Sequence, residues 1–144
     1  MSVDVAVETI IDRPVEQVSA YAADPTNAPT WYVNIESVEW RTDPPVQEGS
    51  EMDFVARFLG RRMAYTYRVT DLIPGERLVM STQRGPFPME TTYTWKAIDG
   101  GTRMTLRNTG RPSGFGRLGA AVMEKAMRRT TTKDLARLKA ILER

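Results

Sequence analysis

Two residue types are missing from the 144-residue chain, cysteine and histidine. Without cysteine there can be no disulfide, no thiol nucleophile and no cysteine-based zinc or iron–sulfur site. Without histidine the commonest metal ligand and the commonest general base are both gone. Metal-dependent and triad-type catalysis are therefore disfavoured: no metal site and no cofactor are expected, and no catalytic residue stands out. No apolar run approaches membrane-spanning length, so stable membrane insertion is not expected. A large excess of either charge is missing too. The net charge is only +2, and no basic stripe with interleaved aromatics marks a nucleic-acid reader, so nucleic acid is not an expected partner. Val3 to Ile11 alternates with Asp4, Glu8 and Asp12, which is not a signal-peptide pattern, and a cytoplasmic location is the default expectation.

The residues present suit a single globular domain over residues 1–144, with enough length for a real core. Its organising stretch is the C-terminal thirty or so residues, from Ser113 to Arg144. Ala120, Met123, Met127, Thr131, Leu135, Leu138 and Leu142 recur at three- and four-residue steps, the period of one helix face. Arg128, Arg129, Lys133, Arg137 and Lys139 fall mostly on the other face and read as a solvated surface. The spacing predicts a helix from Leu118 to Leu142, with β-branched Thr130-Thr131-Thr132 as its weak point.

Upstream the period changes to two. Val3, Val5, Val7, Thr9 and Ile11 predict a half-buried first strand that stops at Asp12-Arg13-Pro14. Pro14 suits a first helical position, so a short helix is expected from Pro14 to about Ala23. Asp24-Pro25 starts a second helical piece ending near Pro29, before Trp31-Tyr32. Strand-like segments follow at Ile35 to Arg41, Glu51 to Leu59, Arg62 to Leu72, Arg77 to Gln83, Thr91 to Ala97 and Thr102 to Thr109. Gly60-Arg61, Pro74-Gly75 and Asp99-Gly100-Gly101 supply turn signals between them. About seven hairpin-linked strands imply a curved antiparallel sheet with one dry face, and one long helix laid across that face would bury both apolar surfaces. The expected class is therefore α+β, with two short helices after the first strand.

This order of elements resembles the START-like, or Bet v 1-like, superfamily (the SRPBCC group) and its helix-grip fold, over essentially the whole chain. The residues that carry the resemblance are Ile11-Asp12-Arg13-Pro14-Val15-Glu16-Gln17-Val18, Asp24 with Trp31, Pro74-Gly75-Glu76-Arg77-Leu78 and Gly101-Thr102-Arg103-Met104-Thr105. They look most like the bacterial branch labelled polyketide cyclase/dehydrase and lipid transport. The resemblance implies a cavity between sheet and helix that holds an apolar or aromatic ligand.

The inward phase of the strands indicates what would line such a cavity. It offers Phe54, Phe58, Met63, Tyr65, Tyr67, Met80, Tyr93, Trp95, Met104 and Asn108, faced by Met123 and Met127 of the helix, with Trp31 nearby. These side chains could simply fill a core. The tyrosine hydroxyls and the Asn108 amide need partners if buried, and several polar tips on an apolar concave face suit a pocket better. Trp31, Phe54, Phe58, Tyr65, Tyr67, Tyr93, Trp95, Asn108, Met123 and Met127 are thus the candidate ligand-binding set, for a small hydrophobic or aromatic molecule. Gly110 through Gly116 lacks the pattern of a phosphate loop and reads as a lead into the helix. That lead and Gly85-Pro86-Phe87-Pro88 are candidate mouth elements. Glu51 and Asp53 share an outward strand face, so no paired acid and base is visible. Three functions remain open: a carrier or sensor, a cofactor-independent cyclase/aromatase-like enzyme using a tyrosine as acid, and a protein-interaction module. For the last, exposed Trp40 and Phe115 are the only hints.

Overall fold

The computed structural model describes residues 2–144. Seven strands form one antiparallel sheet: β1 (Val3–Ile11), β2 (Ile35–Trp40), β3 (Glu51–Phe58), β4 (Arg61–Ile73), β5 (Arg77–Arg84), β6 (Met89–Ile98) and β7 (Gly101–Gly110). Their spatial order is β1-β7-β6-β5-β4-β3-β2. β2 to β7 therefore meander, while β1 pairs with the last strand at the far edge. The chain crosses from one edge to the other through α1 (Val15–Ala23), a 3-10 turn at Pro25–Asn27 and α2 (Ala28–Trp31). Last comes α3 (Ala120–Leu142), against the concave face. This is the α+β arrangement expected from the residue periodicity, and the helix-grip fold that the resemblance implied.

The sheet curls because its strands twist and because register slips where an extra residue is inserted. Such irregularities fall between Ile35 and Ser37 in β2, and between Thr66 and Tyr67 and between Val69 and Asp71 in β4. The concave phase survives them. Met52, Phe54 and Ala56 of β3 are buried, as are Met63, Tyr67 and Val69 of β4.

Most strand ends shift by a residue or two, and α3 begins at Ala120 and not at Leu118, with Gly119 as its N-cap; three other boundaries differ for local reasons. Pro14 has ψ 148°, an extended conformation, so it caps α1 from outside the helix, and its carbonyl accepts from the N–H groups of Gln17 and Val18. The second helical piece does not end at Pro29. That proline lies in the first turn of α2, where a missing N–H loses no intrahelical bond, and the helix continues to Trp31. The β3–β4 turn is Leu59-Gly60 rather than Gly60-Arg61. Both residues have positive φ, 51° and 79°, as a two-residue turn matched to the twist of a hairpin requires.

α3 runs unbroken through Thr130-Thr131-Thr132, where Thr132 Oγ1 donates to the Arg128 carbonyl at 2.7 Å. Met123, Thr131, Leu135, Leu138 and Leu142 are buried, in the expected phase. The opposite face is less free than a solvated surface. Arg128 donates to the Ala6 carbonyl at 3.0 Å and Lys139 to the Ile10 carbonyl at 2.6 Å. Glu124 and Glu143 accept from the N–H groups of Asp4 and Asp12, at 2.9 and 2.8 Å. All four contacts fall on even-numbered residues of the β1 region, whose main-chain groups point away from β7. The helix thus covers an edge that would otherwise offer unpaired backbone groups.

The part of the interface nearer the C-terminal end of α3 is densely filled. Leu135, Leu138 and Leu142 pack in one cluster with Ile11, Val18, Trp31, Trp95 and Met104. Leu138 has no exposed surface. Replacing it by alanine should cost about 2–5 kcal/mol in chemical denaturation, the range for a buried leucine, and a cost near zero would mean that this face of α3 is not the one holding the sheet.

Candidate functional site

Toward the N-terminal half of α3 the same interface is hollow. A cavity of about 150 Å³ lies between the sheet and the helix. That is the size at which an apolar protein cavity accepts a benzene-sized guest. Along α3 the residues that face it are Met123, Met127, Thr130, Thr131 and Asp134. The short threonines leave room there, and the flexible methionines can adapt to what occupies it.

Eight of the ten candidate residues line this space: Phe54, Phe58, Tyr65, Tyr67, Tyr93, Asn108, Met123 and Met127. Trp31 and Trp95 do not. Both are buried in the packed cluster beside the cavity, and the indole nitrogen of each lacks a hydrogen-bond partner among the described residues. They belong to the packed core and not to the lining. Trp31 stands 4.2 Å from the Tyr32 ring and 5.7 Å from the Tyr93 ring, centroid to centroid.

One wall is aromatic. Phe54 stacks on Tyr65 across the β3–β4 pair at 5.5 Å with 7° between planes, and Tyr67 meets both rings edge-on. At the opposite end from the tryptophans, Phe58 and Phe87 line the cavity and Phe115 packs edge-on against each, at 5.8 and 6.0 Å. The Arg61 guanidinium lies over the Phe115 ring at 5.3 Å and donates to the Ser113 carbonyl. Both segments read as mouth elements, the Gly85–Pro88 loop and the lead into α3, meet here. Phe115 is therefore engaged with neighbouring rings. Trp40 is tied too, its indole N–H donating to Thr26 Oγ1 at 2.9 Å.

The polar tips form two groups. In the first, the Tyr67 hydroxyl lies 2.8 Å from Thr91 Oγ1, which donates to Asn108 Oδ1 at 2.7 Å. Since Thr91 gives its proton to Asn108, Tyr67 is the donor to Thr91. In the second, the Tyr32 and Tyr93 hydroxyls share a bond of 2.6 Å. Tyr65 has no such partner among the described residues. Burial raises the pKa of all four tyrosines, Tyr67 to about 12, so each is a neutral donor at ordinary pH.

Sequence reasoning missed Tyr32, Thr91 and Asp134. Tyr32 follows α2 in a segment without periodicity and gave no signal. Thr91 is in the inward phase of β6, but a threonine there looks like ordinary strand composition. Asp134 did leave a trace: it lies three residues after Thr131 and four before Leu138, squarely on the apolar stripe. It is 2% exposed, and Oδ1 accepts from the Val33 N–H at 2.8 Å. Burial pushes its pKa up to about 7, against the opposing pull of the Val33 hydrogen bond and the Arg137 charge. Among the described residues no group of three or more acidic side chains is placed to hold a metal ion. No helix there is long and apolar enough to cross a membrane.

A curled antiparallel sheet gripping one long helix over a partly hollow, aromatic-walled interior defines a START-like, Bet v 1-like domain. More narrowly, the chain belongs to the family described as polyketide cyclase / dehydrase and lipid transport, whose sequence pattern matches residues 2–143. No curated protein matches it. Several solved structures share the fold. The protein TTHA0849 from Thermus thermophilus is 22% identical, with a TM-score of 0.83 over 96% of each chain. Zhui aromatase/cyclase from a Streptomyces species is 19% identical with a TM-score of 0.82, covering 100% of this chain and 95% of its own. A START superfamily protein from Mycobacterium smegmatis is 12% identical, at 0.83 over 97% of each chain. At these identities the likeness carries the fold and leaves the chemistry to the site.

The raised pKa of Asp134 has a signed consequence for stability. The folded state holds this proton more tightly than the unfolded chain, so stability falls as pH rises from about 4 to about 7 and stays lower above that, by a penalty on the order of 4 kcal/mol. Asp134→Asn keeps the carbonyl that accepts from Val33 and cannot ionise. Its melting temperature should exceed that of the parent by at least about 5 °C at pH 8, with the difference closing toward pH 5. A difference independent of pH would place no such titration at Asp134.

Proposed function

We propose that the protein is a carrier or sensor that binds a small aromatic or hydrophobic molecule in the cavity beneath α3. The observation behind this reading is the hollow itself. A core that could have been closed by leucines is open at Met123, Met127 and Thr131, and its walls lose contacts that a filled core would make. A guest recovers those contacts. Rings from Phe54, Tyr65 and Tyr67 offer it flat apolar surface, and the two hydroxyl groups of polar tips offer orientation.

The guest should stabilise the fold. A ligand at about a hundred times its dissociation constant adds about 2.7 kcal/mol, which for a chain near this length is a melting shift of roughly 5–10 °C. Toluene, indole and naphthalene are suitable first probes given the cavity volume. At least one should give such a shift in the parent protein and none in Met127→Trp, where the larger side chain occupies the space. Equal shifts in both proteins, or no shift with any probe, would sink the carrier reading.

A second reading, a cofactor-independent cyclase-type enzyme, has one observation of its own. Asp134, poised near neutrality and facing the cavity, supplies the proton acceptor that the strands lack. Such an enzyme should exchange the α-protons of a small aryl ketone with deuterated solvent faster than buffer does, and Asp134→Asn should abolish the excess. Exchange unaffected by that substitution would leave the carrier reading alone. The interaction-module reading loses its two hints, since Trp40 and Phe115 are both partnered within the chain.

A further inference from the structure

A pocket for purely apolar guests has no use for Asp134. The position lies on the helix stripe between Thr131 and Leu138, where a leucine or methionine would pack without desolvating a charge. Instead a carboxyl group 2% exposed faces the cavity, with Oδ1 held by Val33 and Oδ2 unpartnered among the described residues. The neighbouring charges do not close on it. Arg137, one turn along α3, directs its guanidinium to the Thr30 carbonyl at 3.0 Å. Arg57, which reaches the cavity from β3, is bound to Glu36 at 2.6 Å. Lys139 and Glu143 pair with each other at the far end of the helix, and Arg128 and Glu124 are engaged with β1. The remaining groups around the carboxyl are the neutral hydroxyls of Tyr32, from the segment after α2, and Tyr93, from β6.

We infer that the cavity is built for a small aromatic amine of the arylalkyl type, its ring against Phe54 and Tyr65 and its ammonium group on Asp134. The inference rests on the cavity being a ligand site and adds the charge of the ligand. An ammonium supplies the donors that Oδ2 lacks, and its charge is attracted by the tyrosine ring faces as well as by the carboxylate. Folding has already stripped water from the carboxyl, so binding must offset only the desolvation of the amine. A neutral alcohol or phenol can donate one hydrogen bond to the same oxygen, but it brings no charge of its own and gains less from the ionisation of Asp134.

The test is calorimetric titration with toluene, benzyl alcohol and benzylamine, which are of similar size and differ in the group presented to Asp134. At about pH 8.5 the carboxyl is ionised, and benzylamine should bind at least about tenfold more tightly than either neutral probe. Toward about pH 5.5 its affinity should fall by about tenfold or more as Asp134 takes up a proton, while that of toluene stays level. In Asp134→Asn the preference for benzylamine should disappear at every pH, with toluene serving as the check on the cavity. The pH profile of the parent protein tests the idea whether or not the variant folds. Toluene binding as tightly as benzylamine at high pH, or a benzylamine affinity indifferent to pH, overturns the amine assignment and leaves the apolar-ligand reading intact. If none of the three binds, both readings fall.

Discussion

Everything in this structure depends on burying one side of α3 in the concave face of the sheet. The sheet alone would expose a continuous apolar surface, and an isolated helix of this sequence would present its own stripe to water. Each surface is the partner of the other. Apolar burial is not directional, however, and it would tolerate some sliding of a helix across a curved sheet. The four contacts to the outer edge of β1 restrict that sliding, because they meet backbone groups at fixed two-residue intervals. Edge protection and helix placement are thus the same set of bonds.

Fixing the helix also decides where the interior is dense and where it is hollow. Side-chain size along the stripe changes near Asp134. Leu135, Leu138 and Leu142 close on Trp31, Trp95 and Met104, and this dense half bears the load of the fold. Met123, Met127 and Thr131 line the cavity instead, across from the aromatic residues of β3 and β4. A dense half beside a more loosely filled one is an arrangement in which a guest can enter without unfolding the domain. The phenylalanines at residues 58, 87 and 115 cover the other end with edge-on contacts, each of them modest in energy.

The electrostatics of the interior follow from the same geometry. Four tyrosines, with Thr91 and Asn108, bring polar atoms into an apolar space, and most of them satisfy each other: Tyr67 through Thr91 to Asn108, and Tyr32 with Tyr93. Neutral groups can be buried this way at little cost once bonded. A carboxyl cannot, because one hydrogen bond from Val33 does not replace the water it has lost. Asp134 is therefore a lining group whose charge works against the stability of the fold.

The sequence by itself determined the architecture. Period-two alternation marked the strands, turn residues separated them, and the three-four spacing of α3 predicted which of its side chains are buried. These are local regularities, and local spacing is what sets the face of a strand or helix. For the same reason the aromatic lining of β3, β4 and β6 was legible residue by residue. What only the tertiary structure decided is how those faces meet. Whether Trp31 and Trp95 line the hollow or pack in the core beside it depends on how far two surfaces approach, a matter of summed volumes that no single segment carries. The pairing of Tyr32 with Tyr93 joins residues 61 positions apart, and the role of Arg128 and Lys139 required knowing that β1 is an edge. Asp134 lies between these cases. Its position on the stripe is written in the sequence, but its charge state is set by the water that the folded chain excludes around it.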